Sequence, residues 1–417
     1  MKSSIASLGL FVTLLATAAA GAAEPRVFDV REAGAVGDGT TLDTAAIQKC
    51  FDECGDAGGG SVLLTAGTYL SEPLTIGTRT TLRLAEGATL LATSDRTAYE
   101  RPDEPGKFDH FLTGKDLEDV TIEGEGTIDG GGQAWWDAAE AARQKKSGYT
   151  LPRPNLIVLT RVKNLVVRGV TIQNAPKFHF VPTECDGVLV EDATFLAPER
   201  APNTDAIDPS MCVDVTVRRC LIDVGDDNIA VKSGKRADGR EFAALGLTVT
   251  DCTFKHGHGM SIGSETVGGV KDVIVRNCTF EDTDNGIRIK SDRKRGGTVE
   301  NLLCENITMK NVAGAITITS YYPKIPAEVE EAQPITKTTP RYRNITIRNL
   351  TATSTKDAGF IVGLPECPIE NVLLENVQIT AKRAGLEIRH ARGVVLNNVE
   401  VTAEKGEPIV KRDVESP

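Results

Sequence analysis

The chain has 417 residues, a net charge of −11 and only 5% aromatic residues. That acidity excludes a nucleic-acid partner held on a generally basic surface, while leaving room for a local cationic patch that binds an acidic ligand. Nine cysteines are an odd number without the spacing of a disulfide framework or a metal site, so neither redox nor metal chemistry is expected.

In chain order, Lys2, an apolar run from Leu8 to Leu15 and small residues from Ala16 to Ala23 predict a cleavable leader over residues 1–23. The protein is expected to be exported, either secreted or periplasmic. The apolar run is too short to span a bilayer and no other stretch reads as transmembrane, so no membrane partner is expected. Residues 24–417 remain as one domain, long enough for a large core.

Val27 to Val30 reads as a strand and Gly34 to Gly39 as a turn. Asp43 or Thr44 is placed to cap a helix whose apolar residues Ile47, Cys50, Phe51 and Cys54 follow helical spacing, and Gly58-Gly59-Gly60 ends it. Cys50 and Cys54 lie one turn apart and are not expected to bond. Short strands follow at Ser61–Leu64, Thr81–Leu84 and Thr89–Leu91. One amphipathic helix before a run of strands predicts a cap over the open apolar end of a solenoid.

Further on, a repeat is legible. Asn164-Leu165-Val166-Val167-Arg168-Gly169-Val170-Thr171-Ile172 recurs from Gly187, Asp214, Gly246, Asp272, Asn301, Asn344, Asn371 and Gly393, at intervals of about 22 to 43 residues. Each unit alternates apolar and polar residues, turns through Asn, Asp or Gly, and alternates again, with no long helical pattern between. The expected fold is all-β, a parallel β-helix with an N-terminal helical cap. A barrel or sandwich has as many strands but no such repeat. Cys220, Cys252 and Cys278 share one repeat position and should point inward. The longest excursions, Gln133 to Arg153 and Tyr322 to Thr339, are placed to wall a cleft. The Asn-x-Ser/Thr sites at Asn277, Asn306, Asn344 and Asn349 fall in repeat turns or strands, which explains them without glycosylation.

Four segments carry the chemistry. Aligned on Ile207, Ile229, Met260 and Ile287, they put Asp205, Asp227, His258 and Asn285 in one column. Asp226 stands one step before it, Arg288 one step past the aligned isoleucine, and Lys290 two further. Neighbouring coils of a β-helix lie about 4.8 Å apart, so Asp205 and Asp227 should be direct neighbours. Like charges on adjacent strands destabilise a sheet, so this arrangement needs a functional reason. Crowded carboxylates split their proton affinities, keeping one protonated as an acid while others stay anionic, as glycosidic cleavage requires. His258 can tune the acid, and Arg288 and Lys290 can grip an anionic group. Lys232, Lys235 and Arg236 also flank the column, and Arg293 to Arg295 read as solvated loop charges.

Asn203-Thr204-Asp205, Gly225-Asp226-Asp227, Gly257-His258-Gly259 and Arg288-Ile289-Lys290, in that order, resemble the signature motifs of the polygalacturonase family, glycoside hydrolase family 28. The resemblance spans nearly the whole mature chain, including Gly124-Glu125-Gly126-Thr127-Ile128-Asp129-Gly130. It implies a right-handed parallel β-helix that hydrolyses pectic polymers with inversion and without a metal or other cofactor. It further implies that Asp226 is the general acid, that Asp205 and Asp227 activate water, and that His258 supports the acid. Arg288 and Lys290 would bind the galacturonate carboxylate, with Tyr322 (or Tyr321) beside them, and Asn203 would orient its neighbours or touch substrate. Ala206 and Asn228 depart from the usual glycine and cysteine. Phe178-His179 stands where tryptophan is frequent, and His179 receives no catalytic role. The expected partner is a galacturonate-containing pectic polysaccharide, met by a monomer. The alternatives are a rhamnogalacturonan or xylogalacturonan hydrolase, a calcium-dependent pectate lyase, and a non-catalytic β-helical binding protein.

Overall fold

The computed structural model describes residues 26–145, 151–236, 238–327 and 330–416, so the expected leader lies outside the described residues. Among these, 28 strands join into one wound sheet. Every pairing is parallel apart from an isolated antiparallel bridge between Glu100 and Phe108. The chain forms a right-handed parallel β-helix, the hand that parallel crossovers adopt.

The repeat is what stacks. Leu165, Val188, Val215, Leu247, Val273, Leu302, Ile345, Val372 and Val394 pair in register through successive coils. The residue before each of them, Asn, Asp or Gly in every case, has a positive φ between 55° and 77°. Only residues tolerant of the left-handed region fit there, which is why the repeat punctuates as it does. Many of these turns are also stitched along the axis. In one ladder Asn277 donates to Asp251 (3.2 Å), Asn306 to Asn277 (3.1 Å), Asn349 to Asn306 (3.0 Å), Asn376 to Asn349 (3.1 Å) and Asn398 to Asn376 (2.8 Å). This gives Asn277, Asn306 and Asn349 a structural reason to be asparagine, and Asn344 sits in a parallel ladder on Asn301.

Inside the coil, Ile172, Phe195, Ile222, Phe254, Phe280 and Met309 stack in one line, with the Phe254 and Phe280 rings 4.5 Å apart. Cys220, Cys252 and Cys278 are buried as expected, and all nine cysteines are free.

The N-terminal helix α1, Thr44–Asp56, buries Ile47, Cys50, Phe51 and Cys54 against the first coil. Its cap differs from expectation. Asp43 makes no side-chain cap bond, because its carboxylate turns back to accept Val36 N–H (2.6 Å) and Gly37 N–H (2.9 Å) and closes the preceding turn. A second helix, α2 (Gln133–Lys145), occupies what reads in sequence as an irregular excursion. Its apolar face is short: Trp135 is clasped edge-on by Tyr99 and Phe108, and Trp136 Nε1 donates to Ala175 O at 3.1 Å.

Candidate active site

The four segments align in space as they do in sequence. Ile207 bridges to Ile229, Ile229 pairs with Met260, and Met260 with Ile287. These apolar residues are buried, and Asp205, Asp227, His258 and Asn285, two residues before each of them, stack at the entry to the strands of consecutive coils. Arg288 pairs with Ser261, and Lys290 with Gly263, on the same strip.

Asp227 is the most heavily engaged carboxylate. It accepts from Lys290 Nζ at 2.6 Å, Ser261 Oγ at 2.8 Å and Arg288 Nη1 at 3.2 Å, and is nearly buried. Asp226 accepts the Asp227 N–H at 2.9 Å and Asn203 Nδ2 at 3.4 Å. His258 Nδ1 lies 3.0 Å from Asp226 Oδ1, an ion contact rather than an aligned hydrogen bond, and His258 Nε2 lies 3.4 Å from Asp284. Burial pushes the Asp226 carboxyl up. The His258 contact and charge, the Lys290 charge and the Asp227 N–H outweigh that and hold it below the ordinary carboxylate value. For His258, burial opposes the imidazolium, but Asp226, Asp284 and Asp227 prevail and raise it to about 9.

Asp205 is shifted the other way. Burial first, then the charges of Asp208 and Asp226, raise its carboxyl well above the usual range, against the opposing pull of Lys232 at 3.6 Å. Asp208, which the alignment passed over, is buried one step past Ile207 in the Arg288 column. Burial raises it to about 6, although Lys232 Nζ sits 2.6 Å away. Among the described residues, Oδ1 of both Asp205 and Asp208 lacks a hydrogen-bond partner. Protons in the free protein therefore collect at Asp205, Asp208 and His258, not at Asp226.

Other supports come from outside the four motifs. Arg153, at the end of the excursion that contains α2, is buried and donates to Asn203 Oδ1 (2.7 Å) and to the carbonyls of Pro176 (2.9 Å) and Pro202 (2.7 Å). His179 holds the Asp205 main chain, its Nδ1 3.0 Å from Asp205 O and its own N–H donating there at 2.8 Å. Burial depresses its imidazole to about 4, so it stays neutral. Asn228 accepts Gly259 N–H (2.7 Å) and donates to two carbonyls beneath the acids, making it a hydrogen-bonding post.

The loop cations are less solvated than they read in sequence. Lys232 is a half-buried partner of Asp208, with its ammonium 4.3 Å from the Phe178 ring centre. Arg293 and Arg295 are also tied down, the first to Glu366 (2.7 Å) and Glu330 (2.8 Å), the second to Asp292 (2.9 Å) and Glu265 (3.2 Å). The tyrosines sort clearly. Tyr322 faces the strip, its ring centre 5.4 Å from Lys290 Nζ and 5.9 Å from the Arg288 guanidinium, whereas Tyr321 is buried against Val362 and Leu364. Both long excursions thus touch the site, through Arg153 and Tyr322.

Asp226, Asp227 and His258 bring ligand-type atoms within 4.8 Å of one another. Three cationic side chains already serve these oxygens, so the donor set is that of a charge-compensated acid pair rather than a cation cradle.

Residues 57–402 match the family model of Glycosyl hydrolases family 28. An endo-polygalacturonase of Pectobacterium carotovorum subsp. carotovorum is 35% identical over 81% of this chain and 84% of its own. The solved polygalacturonase from Erwinia carotovora ssp. carotovora superposes with a TM-score of 0.73 at 32% identity, over 92% of this chain and 97% of that one. A hyperthermoactive exopolygalacturonase from Thermotoga maritima gives 0.73 at 25% identity, over 90% and 93%.

Proposed function

Because the chain belongs to family 28 of the glycosyl hydrolases, we propose that it is a pectin-degrading hydrolase cleaving α-1,4 galacturonosyl linkages of polygalacturonate. One observation carries the reading. Adjacent acids divide their partners, Asp226 with His258 and Asp227 with Arg288 and Lys290, on a single outward strip. An anionic sugar needs cations where it binds, and its bond needs an acid beside a base.

We assign inversion. Asp205 and Asp227 take a proton from water as its oxygen attacks the anomeric carbon. The glycosidic C–O bond breaks, and Asp226 protonates the departing oxygen. Asp226 is anionic in the free protein, so its proton must arrive with substrate. Burying the His258–Asp226 ion pair under a sugar weakens the charged form of both groups. The proton then crosses from His258 Nδ1 to Asp226 Oδ1, 3.0 Å away. Asp284, exposed beside His258 Nε2, is placed to return it from solvent. Arg288 and Lys290 hold the substrate carboxylate, Tyr322 flanks it, and Asn203 orients Asp226.

The same reading has residues 1–23 as an export leader and 24–417 as one catalytic unit acting as a monomer. α1 covers one end of the coil, and charged residues Lys411, Arg412, Asp413 and Glu415 line the last strand, Ile409–Glu415, which discourages further pairing.

The test is incubation with demethylated polygalacturonate in the presence of a chelator, following reducing ends and ultraviolet absorbance, beside an Asp226→Asn control. Reducing ends without an absorbing product, lost in the control, are expected. An unsaturated product would make the protein a lyase, and cleavage of rhamnogalacturonan or xylogalacturonan alone would change the substrate.

A further inference from the structure

The cleft does not stop at Arg288. An open hollow of about 280 Å³ continues it toward the C-terminal coils, sharing His258 and Arg288 with the site and bordered by Asp284, Gly314, Thr317, Lys356 and Phe360. Strand register fixes its layout. Arg288 pairs with Thr317, and Thr317 with Phe360, so Phe360 stands two coils beyond Arg288 in the same outward column, about 10 Å along the axis. Its ring is half-buried and lines the hollow.

Gly314 is the informative residue. It pairs with Asn285, one coil after His258, so it occupies the column of Asp205, Asp227 and His258. Glycine in a strand weakens it and often marks a bulge, a special φ or a close approach by neighbouring chain. The register does shift just before it, between Val312 and Gly314, but neither a special φ nor a close approach holds it to glycine. Gly314 is absent from the residues with positive φ. A Cβ there would meet nothing nearer than Thr317 Oγ1 at 3.7 Å and Asp357 O at 4.0 Å, which is ordinary contact. By contrast, a Cβ at Gly286 would come within 2.3 Å of Met309, and one at Gly359 within 1.9 Å of Ile316 O. The fold does not require Gly314 to lack a side chain, and any side chain there would project into the hollow. Lys356 supplies the remaining clue. It is exposed at the rim, and no carboxylate lies within 4.0 Å of its ammonium among the described residues, although its charge is felt by Asp284 across the hollow, whereas neighbouring Asp357 is held by Arg383.

We propose that this hollow is a subsite for a further galacturonate residue, kept open by Gly314, with Lys356 binding the carboxylate and Phe360 flanking the sugar ring. The proposal rests on the polygalacturonase reading and adds a residue-level account of how much of the chain the cleft grips.

The test compares wild type with Gly314→Leu and Lys356→Gln on a graded series of oligogalacturonates. The ratio of kcat/KM for the longest to the shortest cleaved oligomer should fall about tenfold in each variant, as expected for losing one charged contact or one ring site. Lys356→Arg should restore the ratio. The melting temperature of Gly314→Leu should stay within about 2 °C of wild type, since the position has room. Unchanged ratios, or equal losses at every length, would overturn the subsite while leaving the hydrolase reading intact. A wild type that cuts no galacturonan overturns both. A Gly314→Leu protein that unfolds would show that the glycine serves packing, and would overturn the role given to it.

Discussion

Lys290 Nζ lies 2.6 Å from Asp227 Oδ2, so the cation assigned to the substrate carboxylate is already bonded to a carboxylate assigned to water. Binding and chemistry therefore share one contact. Lys290→Met should raise KM and lower kcat together, with kcat/KM falling roughly 100-fold or more, because a nearly buried Asp227 loses its shortest partner. Steady-state kinetics on polygalacturonate would check this. A rise in KM with unchanged kcat would separate the two roles.

The pH profile of kcat/KM should show two limbs. The acid limb belongs to the coupled pair Asp205 and Asp208, both raised by burial and the latter to about 6. Activity should climb as they ionise. The alkaline limb belongs to His258, raised to about 9, because above that value no proton remains to pass to Asp226. In His258→Asn, Asp226 must bind its own proton, so the alkaline limb should move down by more than one pH unit, with kcat lowered. An unmoved limb would assign it to another group.

Asp205→Asn should abolish activity and yet stabilise the fold. A carboxyl whose folded pKa lies above its unfolded value binds protons more tightly when folded. Its contribution to stability is thus largest at low pH and is lost as pH rises through the folded value. Asparagine stays neutral throughout, so the variant should melt about 2 °C or more above wild type near pH 7, with the gap closing under acid conditions. Thermal melts at two pH values decide the matter, and a less stable variant at neutral pH would contradict the burial argument.

Asn349→Ala should lower unfolding free energy by about 2 kcal/mol, combining a left-handed φ of 53° with two lost ladder bonds. Asn349→Gly should lose less, since it keeps the backbone conformation. Denaturant melts of the pair separate the two contributions.

Much of this architecture was legible in the sequence because a β-helix converts repeat position into spatial position. Aligning Ile207, Ile229, Met260 and Ile287 placed Asp205, Asp227, His258 and Asn285 on neighbouring coils, and the strand register agrees. Asp208 was within reach of the same method, since it falls in the Arg288 column. Arg153 was not. It reaches Asn203 from a loop fifty residues earlier, outside the repeat, and no period predicts where an excursion returns. Arg293 and Arg295 read as solvated for a related reason: a cation in a loop looks solvated until the segment that supplies its carboxylate is known. The helix α2 escaped notice because only Trp135, Trp136 and Ala139 mark its buried face.

The column that runs from Asp205 to Gly314 has one more consequence. Residues along it are separated by the spacing of main-chain hydrogen bonds, so the cleft carries a built-in ruler with fixed graduations. A catalytic or binding group can be exchanged at a mark, or moved to the next mark, but not slid between them. Lengthening a loop within a coil leaves the ruler untouched, whereas adding a whole coil shifts everything beyond it by one division. Changes in how such a cleft measures its polymer are therefore confined to whole steps.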